Sequence, residues 1–156
     1  MRATLLVFAT LFCGCFMQNR ATIERVGDAV QGLNDETRWG KTTLAADRVD
    51  PDFREQFLVN HEGWGRRIQI AECDLVSLRL GSNDETATSI LNVSWYRLDT
   101  MEVAETTLRQ EWRQTGATFI LTREEVVGGD SALFTEFSTN AGSQAEAATP
   151  ATTHGG

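Results

Sequence analysis

Residues 104–121, AETTLRQEWRQTGATFIL, carry the pattern from which the fold can be read. Ala104, Thr106, Leu108, Gln110 and Trp112 fall on one face, and Glu105, Thr107, Arg109, Glu111 and Arg113 on the other. A period of two with one mostly apolar face predicts a half-buried strand. Thr115-Gly116 supplies a tight turn, since glycine accepts the left-handed backbone of short hairpins. Ala117, Phe119 and Leu121 point inward on the next strand, which leads through Val126 and Val127 to Gly128-Gly129. Working back, Ala87, Ser89, Leu91, Val93 and Trp95 alternate with Thr88, Ile90, Asn92, Ser94 and Tyr96 as an earlier strand, turned by Asp99-Thr100-Met101. Before the Gly81–Asp84 turn, Ile68, Ile70, Cys73, Leu75, Val76, Leu78 and Leu80 form a long first strand. Its alternation slips near Glu72–Asp74, which predicts a bulge or bend.

Upstream the period is helical. Ile23, Val26, Val30 and Leu33 predict an amphipathic helix over 21–33. Asn34 or Asp35 is placed to cap a second helical segment reaching to about Ala46 with Trp39 and Leu44, although Gly40 weakens it. Asp50-Pro51 is the clearest helix start, with Asp as cap, Pro at the first helical position and Asp52 in the first turn. That helix presents Phe53, Phe57 and Leu58 and ends near Gly63. The expected fold class is therefore α+β, with N-terminal helices packed on a strongly curved antiparallel sheet of about four long strands.

The N-terminus reads as an export signal. Met1-Arg2 gives a positive start and Ala3–Phe12 an apolar core of ten residues. Ten residues are too few to span a bilayer as a helix, which needs roughly 20. Cys13-Gly14-Cys15 follows, then polar Gln18-Asn19-Arg20. This ending resembles the lipobox of bacterial lipoproteins, with small Gly14 before the acylated cysteine and Phe12 in place of the usual Leu. The resemblance implies cleavage before Cys15 and attachment of palmitate-type chains there. Acylation at Cys13 is disfavoured because bulky Phe12 would occupy the cleavage position. Phe16, rather than Asp, follows the cysteine, which by resemblance to the sorting rule of enterobacterial lipoproteins implies the outer membrane rather than the inner. The expected organisation is a signal peptide at 1–14, a tether at 15–20, one domain at 21–137, and a tail at 138–156. The tail is Ala/Thr/Ser/Gly-rich and lacks apolar bulk, which predicts disorder.

Composition narrows the functional classes. The formal net charge is −8, with 14 Lys+Arg scattered among 22 Asp+Glu. Without a basic cluster, a nucleic-acid role is disfavoured. With Cys15 acylated, Cys73 is left alone and reads as a small buried hydrophobe in a strand. Two histidines, His154 lying in the tail, cannot build a multi-histidine zinc site. Neither a glycine-rich phosphate loop nor a nucleophile elbow is present, so no cofactor is expected.

Arg109-Gln110-Glu111-Trp112 followed by Gly116-Ala117-Thr118-Phe119 resembles the penultimate hairpin of the nuclear transport factor 2-like superfamily. Asn92-Val93-Ser94-Trp95-Tyr96 is similar to its preceding central strand, and the likeness covers residues 21–127. It implies a cone-shaped domain with an interior pocket. Trp39, Trp64, Trp95 and Trp112 are candidates to line that pocket, or else form the core of a small domain. Enzymes of the superfamily use Asp, His or Tyr groups inside the cone, which makes His61, Glu72, Asp74 and Tyr96 the candidates here. His61 could act as a base or simply close a helix. Glu72 and Asp74 could have raised pKa values in an apolar pocket or pair with Arg79 or Arg97 in solvent. Tyr96 could donate to an oxyanion or pack with a wet tip.

The leading expectation is a noncatalytic envelope lipoprotein, anchored in the bilayer by lipid, that binds a small apolar ligand or an envelope protein. The first alternative is an isomerase- or dehydratase-like enzyme using Asp74 or His61 with Tyr96. The second is a structural subunit of an envelope complex. The polar face of Glu105 to Arg113 is a candidate homodimer surface, as open sheets in the superfamily often are.

Overall fold

The computed structural model describes the backbone of residues 13–135 and the side chains of residues 21–134. The expected signal core at residues 3–12, the Cys15 side chain and the tail with His154 lie outside the described residues and side chains. Helix α1 spans Cys13–Arg38, followed by a short α2 at Thr42–Ala45, a 3-10 turn at Ala46–Arg48 and α3 at Pro51–Asn60. Four strands follow, β1 Ile68–Leu80, β2 Thr86–Arg97, β3 Val103–Thr115 and β4 Thr118–Gly129, before a short α4 at Ala132–Thr135. The strands form one antiparallel meander in the order β1-β2-β3-β4, so the sheet is open with β1 and β4 as edges. The helices pack on one face of it.

α1 buries Val26, Ala29, Val30 and Leu33, the stripe expected of a helix lying on a sheet. It differs from the sequence expectation at both ends. It begins at Cys13, so residues 16–20, read as a tether, are helical; that run contains no Gly or Pro to interrupt it. It also continues through Asn34, which caps nothing. Asn34 Nδ2 instead donates to Val30 O one turn back at 2.7 Å, and its amide reaches across to the sheet.

The helix stops at Arg38, and Gly40 adopts φ +68° just beyond it. Trp39 and Leu44, expected within a second long helix, are exposed on either side of this break. Gly40 lies against Gly65, itself at φ +74°, and a Cβ on Gly65 would stand 3.0 Å from Gly40 Cα. The backbone of the helix terminus and the entry to β1 can touch only because both residues lack side chains.

β1 carries the predicted irregularity twice, with register shifts between Ile70 and Glu72 and between Leu75 and Ser77. Each bulge resets the alternation, so Ile70, Cys73, Leu75, Leu78 and Leu80 all sit opposite inward residues of β2. The carbonyl of Ala71, left out of the ladder by the first bulge, accepts from Arg38 Nη2 and ties β1 to the end of α1. β4 has matching shifts, which leave Thr122 and Val127 unpaired. Its inward set is therefore Phe119, Leu121, Glu124 and Val126, while Ala117, expected inward, is exposed in the turn.

α3 starts as predicted: Asp50 caps it by accepting from Asp52 N at 3.0 Å, with Pro51 in the first turn. The same carboxylate receives Arg113 of β3, and Asp50 N donates to Leu121 O at 2.8 Å, which fixes the helix to the sheet. Phe57 is buried, whereas Leu58 faces solvent.

Gly65→Ala should lower stability by roughly 1–3 kcal/mol through its positive φ and the clash with Gly40, while Gly116→Ala, in an open turn, should lose less. Urea unfolding followed by tryptophan fluorescence checks the ranking; equal losses at the two sites would mean that the Gly40–Gly65 contact is not limiting.

Candidate functional site

Two features stand out against the apolar core: a polar chain sealed inside it and a cleft at its edge. The chain begins at Trp112, whose Nε1 donates to Ser89 Oγ at 2.9 Å. Ser89 donates to Gln110 Oε1 at 3.1 Å, and Gln110 Nε2 donates to Glu124 Oε1 at 2.8 Å and to Asn34 Oδ1 at 3.0 Å. Asn34 Nδ2 returns a bond to Gln110 Oε1 at 3.3 Å, so the two amides pair reciprocally. Ser89, Gln110 and Glu124 are cross-strand partners at one level of β2, β3 and β4. Asn34 joins them from α1 and His61 from the end of α3.

His61 and Glu124 face each other with Nε2 and Oε2 3.3 Å apart, and both side chains are 1% exposed. The approach is close, but neither atom makes an aligned hydrogen bond. His61 Nδ1 lies 2.8 Å from Phe57 O, and a carbonyl can only accept, so Nδ1 carries the proton and Nε2 presents its lone pair to Glu124. Aromatic rings close the other sides, with centroids of Phe57 at 4.1 Å, Trp64 at 4.3 Å and Phe134 at 5.4 Å. Burial pushes the His61 pKa below its ordinary value, and the opposing pull of Glu124 and of the Phe57 carbonyl does not reverse it. The imidazole is therefore neutral, and it is walled off from solvent.

The cleft lies between α1 and the β1 edge and has a volume of about 420 Å³. Val30, Leu75, Leu91 and Cys73 form its apolar wall, and Asn34 its floor. Gly27, Asp28, Gln31, Asp35 and Arg38 complete the α1 side. The Cys73 thiol is pushed up to about 12, chiefly by burial and then by Glu124, with Arg38 pulling the other way and Asp74 and Asp35 adding to the rise. At neutral pH it is a protonated, apolar lining group rather than a nucleophile.

The residues singled out from sequence do not converge. Asp74 is exposed on the opposite face of the sheet, in a depression of about 300 Å³ with Glu72, Asn92, Ser94, Glu105 and Thr107. Tyr96 is on that outer face too, paired in register with Gln69 and Val103. His61 is inside the core, so no acid–base pair of the kind the isomerase reading requires meets in the cleft. None of the four tryptophans lines the cleft. Trp64, Trp95 and Trp112 are core, and Trp39 is 67% exposed with the Arg38 guanidinium over its ring. Trp95 Nε1 is satisfied by Thr106 Oγ1 at 2.9 Å and Trp64 Nε1 by Leu133 O at 3.4 Å. Among the described residues no group of three or more His, Cys, Asp or Glu is arranged to hold a metal ion.

Sequence reasoning missed Asn34 and Glu124 as network members. Ser89 and Gln110 did carry a signal, being polar residues at inward phase in otherwise apolar strands. Glu124 carried none, because the bulge at Thr122 turns it inward out of phase.

What the fold and cleft define is an open helix-on-sheet α+β domain with a ligand-sized recess. No known protein family matches the sequence, and no curated protein matches it either. Among solved structures the chain is similar to the solution structure of a SEC-C motif containing protein from Rhodopseudomonas palustris. The TM-score is 0.53 and the identity 13%, over 64% of this chain and 77% of that one. A likeness at that identity is one of fold.

Two outcomes test the buried chain. Gln110→Leu strands the polar groups of Asn34, Ser89 and Glu124 and should cost about 2–5 kcal/mol in unfolding free energy, well beyond the loss for a surface Gln114→Leu. With His61 neutral in the folded state, the unfolded chain binds more protons below the ordinary histidine pKa of 6.5. Stability should therefore fall as pH drops from 6.5 toward 5, at up to about 1.4 kcal/mol per pH unit. His61→Phe should flatten that limb in thermal melts; an unchanged slope would assign the acid sensitivity to other groups.

Proposed function

We propose that this protein is an exported bacterial lipoprotein, acylated at Cys15 and held in the envelope, whose domain is a noncatalytic module binding a small apolar ligand. The observation that carries the binding half is the cleft between α1 and β1. It has a size suited to a small molecule and an aliphatic wall, and no nucleophile or acid–base pair opens into it. The anchoring half rests on the charged start, short apolar core and Gly14-Cys15 of the N-terminus. No helix among the described residues is long and apolar enough to cross a membrane.

The helical course of α1 bears on how such an anchor would hold the domain. From Cys15 to Thr22, where α1 is first buried against the domain, is seven residues of helix, or about 10 Å at 1.5 Å per residue. A helical stalk of that length would hold the domain just off the bilayer surface. The nuclear transport factor 2-like reading is retained as part of the proposal. It is supported by Gln110 and Trp112 facing inward on β3, as the hairpin resemblance implies, and by the pocket-bearing arrangement of helix on sheet.

Two measurements test the two halves. Intact mass and fractionation of the native protein should give an acylated chain starting at residue 15 in the membrane fraction, with Cys15→Ser displaced to the soluble fraction. A cytoplasmic native protein with an intact N-terminus would end the lipoprotein proposal. For the cleft, the neutral probe N-phenyl-1-naphthylamine should brighten on binding. Leu75→Ser, at a half-exposed wall position, should weaken that binding about tenfold with little change in Tm. Equal binding by the variant would place the probe elsewhere.

A further inference from the structure

The charge around the cleft narrows the chemistry of its occupant. We infer that the cleft selects a cationic amphiphile: an apolar body lying on Val30, Leu75 and Leu91, with a protonated amine held at the α1 rim. This rests on the cleft being the binding site.

The interior of the cleft offers little polar recognition. Asn34, the polar residue on its floor, spends both amide hydrogens on Val30 O and Gln110 Oε1, and its oxygen accepts from Gln110 Nε2. Cys73 is neutral, and the remaining wall is aliphatic. Selectivity beyond shape must come from the rim, where three charges stand on one face of α1: Asp28, Asp35 and Arg38.

Arg38 is held in place, its Nη2 donating to Ala71 O and its guanidinium lying over the Trp39 ring, although its Nε has no partner and its charge is not neutralised. The two aspartates are different: both are exposed, and among the described residues neither carboxylate has a hydrogen-bond or ion-pair partner. The rim therefore sets two carboxylates without a partner against one guanidinium, a net negative charge beside a cleft that removes apolar surface from water. A carboxylate ligand would meet that field unfavourably, and a neutral one would gain nothing from it.

The spacing argues against a bare metal ion. Asp28 and Asp35 are seven residues apart on a helix, about 10 Å along its axis, too far to share the coordination sphere of one cation. Each can instead hold an ammonium at one end of an extended apolar chain, with Gln31 between them to accept a further N–H.

The test uses three probes with the same eight-carbon body, octylamine, 1-octanol and octanoate, displacing N-phenyl-1-naphthylamine from the full chain at pH 7.5. Octylamine should displace at about tenfold lower concentration than octanol, and octanoate should be the weakest. In the Asp28→Asn, Asp35→Asn double variant the amine and the alcohol should become equal, with the alcohol unchanged. High salt should erode the preference in the native protein and leave octanol unaffected. Equal displacement by octylamine and octanol in the native protein overturns the cationic assignment while leaving the apolar cleft in place. So does an amine preference that survives the double variant. If the fluorescent probe does not bind, the cleft itself is not a binding site and the assignment falls with it.

Discussion

Gln110 is a fully buried amide that makes four hydrogen bonds, and the relative positions of α1, β2, β3 and β4 follow from where their partners lie. A buried primary amide left unpaired costs more than most single contacts contribute, so its neighbours must present matching groups in one geometry. Ser89 and Glu124 do so from the adjacent strands at the same register level, which locks β2, β3 and β4 against slipping. Asn34 does so from α1, which sets both the rotation of the helix and its position along the sheet. The apolar contacts of Val26, Val30 and Leu33 supply the bulk of the burial, but they would tolerate a sliding helix far better than a reciprocal amide pair does.

The same network explains why the chemically suggestive residues do not converge on one site. His61 and Glu124 are the closest approach to an acid–base pair in the described chain, and they lie behind Gln110 under a roof of Phe57, Trp64 and Phe134. Their role is to end the polar chain inside the core. Asp74 and Tyr96 are separated from them by the thickness of the sheet. The cleft along α1 is accessible, its polar floor satisfied internally and its charge confined to its rim.

Much of the architecture was legible along the chain. All four strands and the inward faces of β2 and β3 follow from period-two alternation, and the phase slip in β1 is there in the order of Ile70, Cys73 and Leu75. Asp50-Pro51 marked the start of α3. Two of the failures share a cause. Asn34 is a good capping residue by its local chemistry, and Thr122 has no local mark of a bulge; in each case a partner far along the chain decides. Asn34 stays helical because Gln110 needs its amide, and Glu124 turns inward because the bulge brings it opposite Gln110.

By itself the sequence determined which residues of β2 and β3 share a face, since the pleat puts successive side chains on opposite sides wherever no bulge intervenes. It also determined the hairpin turns and the start of α3, because glycine, proline and aspartate act on the backbone beside them. Only the tertiary structure decided that Trp64, Trp95 and Trp112 fill the core while Trp39 stays outside it, and that His61 meets Glu124. It alone placed Asp28 and Asp35 along an aliphatic cleft. Those outcomes depend on which surfaces meet when the helices close over the sheet, and they are set by the joint satisfaction of buried polar groups rather than by the preference of any one segment.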